Sequence, residues 1–128
     1  MSNKMYTTGS IITAKYTRIP DNIRTCGVFC VLYDEAYDKH VSHSRNILAI
    51  KVTTQLDALG TYSVFLNGHG KNSFLRESSF AQCSKIHTLD KQDNETRYLG
   101  RLDDGTINLI LNKVSLLLED IKKSKGER

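Results

Sequence analysis

Apolar residues fall in short runs over the first two thirds of this chain and at helical spacing over the last quarter. Residues 11–16 (IITAKY), introduced by Gly9 and Ser10, are β-branched and aromatic and predict a first strand. Residues 17–25 are polar, with Pro20, Asp21 and Asn22 in a row, and predict a loop. Residues 27–33 (GVFCVLY) are almost continuously apolar and predict a strand buried on both faces. A second polar loop is expected over 34–45, a third strand over 46–53 (NILAIKVT), a turn over 55–60 and a fourth strand over 61–66 (TYSVFL). The segment 67–71 (NGHGK) is turn-rich, and 78–86 reads as a fifth strand. Residues 90–98 predict a short polar helix, with Asp90 as N-cap and Gly100 just past its end.

The last element is an amphipathic helix. Ile107, Ile110, Leu111, Val114, Leu117, Leu118 and Ile121 recur at i, i+3, i+4, i+7, a stripe expected to face the core. Lys122, Lys123 and Lys125 sit near its end, where the helix dipole favours cations. Leu109 and Leu116 form a second apolar line, read equally well as a wide core stripe or as a contact with a partner subunit.

Five short strands followed by helices predict an α+β fold: a small, mostly antiparallel β-barrel with a short helix and a C-terminal helix. A chain of 128 residues supports one domain, 1–128, with the polar residues 1–8 expected to be disordered. No apolar run is long enough to cross a bilayer, and the N-terminal residues carry no apolar signal core. The odd set Cys26, Cys30 and Cys83 favours free thiols in a reducing, cytoplasmic setting. The net charge of +4 permits a polyanionic partner without demanding one.

Motifs for nucleotide or metal chemistry are missing: there is no GxGxxG, Walker A or HExxH pattern and no paired CxxC. Cys26 and Cys30, four apart on a strand, read as buried apolar residues rather than metal ligands, so no metal or cofactor is expected. Of His40, His43, His69 and His87, His69 stands out because its flanking glycines would let a phosphate approach closely.

The order of parts resembles the MazF/PemK toxin family, small ribonucleases of bacterial toxin–antitoxin systems with an SH3-like barrel. The resemblance runs from about Gly9 to Ile121. It rests on Gly9-Ser10-Ile11 before the first strand and the apolar strand over 28–33. It rests also on Ala49-Ile50-Lys51-Val52-Thr53 ending in threonine, on Lys85-Ile86-His87-Thr88-Leu89-Asp90-Lys91 against a QIRTIDK-like segment, and on the closing helix. It implies a homodimer that cleaves single-stranded RNA without a metal and is silenced by a cognate antitoxin. On the family pattern, Arg24, Thr53 and Ser79 are the candidate catalytic residues, with Lys51, Thr54, His69, Lys71 and Ser78 as RNA contacts.

The family's Arg-Pro pair falls on Cys26-Gly27. Arg24 is then the nearest replacement, two residues earlier on the same face. Such chemistry uses the substrate's own 2′-hydroxyl as nucleophile, and a guanidinium with a threonine hydroxyl supplies donors to the phosphate. Proline before the strand would fix the arginine, so Cys26→Arg with Gly27→Pro is expected to raise cleavage. The alternative is a weak or inactive relative that keeps the fold as a protein- or nucleic-acid-binding regulator. A gyrase poison, which the related CcdB fold allows, ranks last because the chain ends KGER rather than in aromatic residues.

Overall fold

The computed structural model describes residues 5–41, 44–55, 59–93 and 95–126. Six strands follow one another along the chain: β1 (Ser10–Arg18), β2 (Ile23–Asp34), β3 (Asn46–Thr53), β4 (Ser63–Leu66), β5 (Ser79–Asp90) and β6 (Arg97–Arg101). One α-helix, α1 (Asp104–Gly126), closes the fold, and 3-10 turns occupy Glu35–Tyr37 and Gly70–Leu75. The strands make a single sheet in the order β4-β5-β3-β2-β1-β6, and every pair in it is antiparallel. This is the curled sheet and C-terminal helix expected of a small α+β barrel.

Both faces of the sheet are buried, because neighbouring residues of a strand point to opposite sides. Ile11, Cys30, Ile50, Leu66 and Cys83 pack with Ile107 and Ile110 of α1. Their neighbours Ile12, Phe29, Val31 and Ala49 form the other cluster with Ile47, Leu89 and Tyr6. Gly9 adopts a left-handed φ of 94°, and a Cβ there would run into the Ile107 side chain, so glycine sets how closely α1 seats on the sheet. Asp103 caps the helix, accepting from the Thr106 amide (3.1 Å) and hydroxyl (2.7 Å). Those bonds, with a further one from Asn72, hold its carboxyl down at about 2.

Several expectations need correction. Residues 90–98 are not a helix: β5 runs to Asp90, a turn follows, and β6 begins at Arg97. Asp90 and Asp93 do cap backbone amides, but those of Gln92 and Glu95 two residues on (both 2.9 Å), so the capping signal closes tight turns instead. Gly100 lies in β6 beside a bulge at Leu99, where Ile11 pairs with Gly100 but Ile12 with Tyr98, and under the Phe74 ring. The 17–25 loop is a short hairpin turn, so Arg24 belongs to β2, opposite Thr17. The helix stripe reaches the core only in its first half. Ile107 and Ile110 are buried, whereas Leu111, Leu118 and Ile121 are exposed, as are Leu109 and Leu116.

Disorder over 1–8 does not extend to residues 5–8; residues 1–4 lie outside the described part. Tyr6 is buried in the second cluster, and its amide donates to Asp34 at 2.9 Å. His43 also lies outside the described residues.

Candidate functional site

At one end the second face of the sheet opens instead of closing. Row by row that face runs Ile12, Ala14 and Tyr16 on β1, Phe29 on β2, and Ala49, Lys51 and Thr53 on β3. Its first members are buried and its last are not. Strand β5 bulges where it passes Lys51. Ile50 pairs with Ile86 but Lys51 pairs with Gln82, leaving Cys83, Ser84 and Lys85 unmatched in the β3 register. Bulges of this kind re-aim side chains beside functional sites. The result is a groove of about 810 Å³ lined by Tyr16, Arg18, Lys51, Thr53, Gln82, Lys85 and His87, among others. A hollow of about 300 Å³ adjoins it, sharing Tyr16 and His87 and adding Lys15, Arg24, Asp90 and Asp93.

Lys51 is the centre of the groove. Its ammonium lies 5.6 Å from the Tyr16 ring centroid and 5.5 Å from that of Phe29, a cation–π arrangement. One N–H donates to the Val52 carbonyl at 2.9 Å, and no carboxylate pairs with it among the described residues. Burial, with the nearby Lys85 charge, pulls its pKa below the ordinary lysine value. Gly27 makes room for it: a Cβ there would sit 2.8 Å from Tyr16 Cε1 and 3.3 Å from Lys51 Nζ.

His87 faces the same two rings edge-on, with centroid distances of 5.6 Å to Tyr16 and 5.2 Å to Phe29. Burial first, then the charges of Lys51 and Lys85, lowers its pKa, so the imidazole is neutral at pH 7.

The residues expected from sequence divide. Lys51 and Thr53 line the groove, and Arg24 lines the adjoining hollow, where its Nη2 pairs with Asp93 Oδ2 at 3.2 Å. The Thr53 hydroxyl accepts from the Gln55 amide at 3.2 Å. Ser79 is buried outside both hollows and donates to the Glu77 carbonyl at 3.1 Å. Ser78 accepts from the Gly68 amide at 3.2 Å, under the 3-10 turn. His69 is exposed at the start of that turn, with its amide bonded to Asn67 Oδ1 at 3.1 Å. Lys71 follows within the turn, and Thr54 is exposed just past β3.

Sequence reasoning missed Tyr16, Gln82 and Lys85, and it ranked His87 below His69. Parity held the signal: a lysine two residues after Ala49, at a position whose neighbours on that face are apolar, marks a cation at the rim of a core. The reading of Gly27 also changes. It does not precede the strand but lies inside β2, opposite Ala14, with β1 and β3 on either side. A side chain at Gly27 comes within 2.8 Å of the Tyr16 ring, so the Arg-Pro replacement is expected to strain this strand.

A sequence profile described as "PemK-like, MazF-like toxin of type II toxin-antitoxin system" matches residues 7–118. The chain belongs to that family. Among solved structures, the MazF of Deinococcus radiodurans superposes on this PemK/MazF-like chain with a TM-score of 0.70 at 17% identity. The match covers 91% of this chain and 99% of that one. A MazE–MazF structure from the same organism gives 0.68 at 17% identity over 91% and 98%. An endoribonuclease from a mycobacterial species gives 0.62 at 16% identity over 91% and 93%. No curated protein matches the chain by sequence. At these identities the structures speak for the fold, and the profile for the family. Among the described residues no helix is long and apolar enough to cross a membrane.

Proposed function

We propose that this toxin-family chain is an endoribonuclease that binds single-stranded RNA in the groove and cleaves it through the 2′-hydroxyl, with no metal taking part. The observation that carries this reading is Lys51: a cation without a carboxylate, held over two aromatic rings at the centre of a groove that also carries Arg18 and Lys85. Phosphates seek unpaired cations. Arg24 and Thr53 flank the path and supply further donors. Fold kinship with an endoribonuclease supports the same reading.

The decisive assay is incubation of the purified chain with a long RNA in EDTA, beside a 2′-deoxy strand of the same sequence. Cleavage of RNA alone, leaving a cyclic phosphate and a 5′-hydroxyl, is the expected result. An intact RNA would instead favour the non-enzymatic relative, for which Cys26 at the position of the family arginine is the specific argument.

The proposed assembly is a homodimer held in a complex by an acidic antitoxin. Leu109 and Leu116, 56% and 40% exposed, lie on the face of α1 that the barrel leaves uncovered. The solved MazE–MazF structures support an antitoxin as partner. Sedimentation of the chain alone at micromolar concentration tests the dimer, and a mass of 14.5 kDa there would reject it. The proposed place of action is the cytoplasm.

A further inference from the structure

Resting on the ribonuclease reading, we infer that His87 is the group that takes the proton from the attacking 2′-hydroxyl, with the Lys51 ammonium holding the scissile phosphate beside it. The geometry is specific. Both groups pack against the same pair of rings, Tyr16 and Phe29, at 5.2 to 5.6 Å, and those rings meet edge to face at 84°, so both groups are held by one aromatic pair. Both also line the open groove. Neither nitrogen of the His87 ring is hydrogen-bonded by protein among the described residues, and Lys51 spends only one N–H, on the Val52 carbonyl. One side chain therefore has a lone pair to offer and the other has donors to spare, on the same wall of the groove.

The charged and titratable groups around His87 come from several strands. Lys51 on β3 and Lys85 on its own strand both disfavour its protonated form. Lys15, Tyr16 and Arg18 come from β1 and Arg24 from β2, while Asp90 at the end of β5 and Asp93 in the turn after it are the acidic counterweights. Arg24 and Asp93 pair with each other, and Asp90 pairs with Arg45 at 2.6 Å. Among the described residues no carboxylate hydrogen-bonds the imidazole to favour its protonated form. A neutral imidazole is the form a base requires.

The step balances without a co-reactant. The His87 imidazole accepts the 2′-hydroxyl proton as the 2′-oxygen bonds to phosphorus. The bond from phosphorus to the 5′-oxygen breaks, and its electron pair stays on that oxygen, which takes a proton from water in the open groove. The imidazolium then returns its proton to solvent. Lys51 balances charge on the phosphate oxygens throughout and is not consumed.

The test uses the full chain and one RNA of defined sequence. His87→Phe keeps a ring against Tyr16 and Phe29 while removing both nitrogens. It is expected to cleave about 10²- to 10⁴-fold more slowly, with binding of the 2′-deoxy analogue unchanged and with partial rescue by added imidazole in the companion His87→Ala variant. The parent rate should fall on the acid side with a midpoint below the ordinary histidine value, and that limb should vanish in His87→Phe. A parent that cuts RNA, beside a His87→Phe variant that cuts within threefold of it or keeps the acid limb, overturns the role of His87 while leaving the ribonuclease reading intact. A parent that leaves RNA whole overturns both. Should His87→Phe fold poorly, the parent's acid limb and the rescue of His87→Ala decide alone; absence of both rejects the assignment.

Discussion

Two lysines of this chain, Lys51 and Lys91, show what burial does to a cation with and without a partner. Lys91 follows β5 directly, is almost wholly buried, and meets both Asp34 carboxylate oxygens at 2.9 and 3.0 Å. Asp34 also accepts from the amides of Tyr6 and Ala36, both at 2.9 Å, so its two oxygens take four hydrogen bonds from three groups. That charge is committed to structure: it pins the N-terminal segment, the end of β2 and the end of β5 together. Lys51 has aromatic faces in place of a carboxylate and an open groove in place of a neighbouring segment. The same side chain is a lock at one end of the sheet and an unsatisfied cation at the other, and unsatisfied cations are where ligands bind.

The largest effect expected of any single replacement is therefore at the lock. Lys91→Met leaves the Asp34 charge buried without a cation, which costs about 3–5 kcal/mol. Urea unfolding of Lys91→Met beside Lys51→Met measures the contrast directly. If the two variants are equally stable, the distinction between lock and groove is wrong.

Activity should rank the two the other way. Lys51→Met is expected to slow RNA cleavage by about a hundredfold, as loss of one preorganised donor does elsewhere. Its unfolding free energy should stay within about 0.5 kcal/mol of the parent. A cleaving Lys51→Met variant with an unchanged rate would remove the groove's central residue from the mechanism.

A smaller effect is expected one layer away. Gly27→Ala brings a methyl group to 2.8 Å from Tyr16 Cε1 and 3.2 Å from Lys51 Cε. The Tyr16 ring is the tighter contact and must shift, and the flexible lysine stem gives with it, so both the ring and the ammonium are displaced. Displacement by about an ångström costs up to a hundredfold in well-placed catalysts; here about tenfold in initial cleavage rate is expected. Cys26→Arg with Gly27→Pro should be slower than the parent and less stable. A faster double variant would restore the family arginine to its expected place.

The barrel was legible because its strands are written in β-branched and aromatic runs separated by turn formers, and the run over 27–33 sits in the centre of the sheet as its apolarity implies. Residues 90–98 misled because Asp90 and Asp93 cap turns as readily as helices, and a single sequence does not say which. Half of α1 was misjudged for a related reason: periodicity shows that a stripe exists, not how far the sheet extends beneath it. Of the site candidates named from sequence, Arg24, Lys51 and Thr53 line the adjoining hollows, and Tyr16 and His87 line them too through cross-strand pairing and the β5 bulge; registers between distant segments leave no mark in local patterning.

The least effect, and the finest test of the comparison, lies in the pH dependence of stability. The lock holds no histidine, whereas the groove holds His87, whose pKa is lowered by burial and by Lys51 and Lys85. A lowered histidine pKa means that near pH 6 the unfolded chain binds more proton than the folded one. Stability contributed by the neutral ring is complete above the ordinary histidine value and is lost as pH falls toward the folded value. The parent should thus lose stability on acidification just below pH 6.5, ahead of any carboxylate effect, and His87→Phe should be flatter across that interval. Because the ring is only half-buried, solvent screens the shift and the difference will be small. Denaturant midpoints at several pH values between about 5 and 7 resolve it. Parallel curves for parent and variant would mean that the imidazole is not desolvated against Tyr16 and Phe29, and the shared aromatic pair that holds Lys51 and His87 would have to be given up.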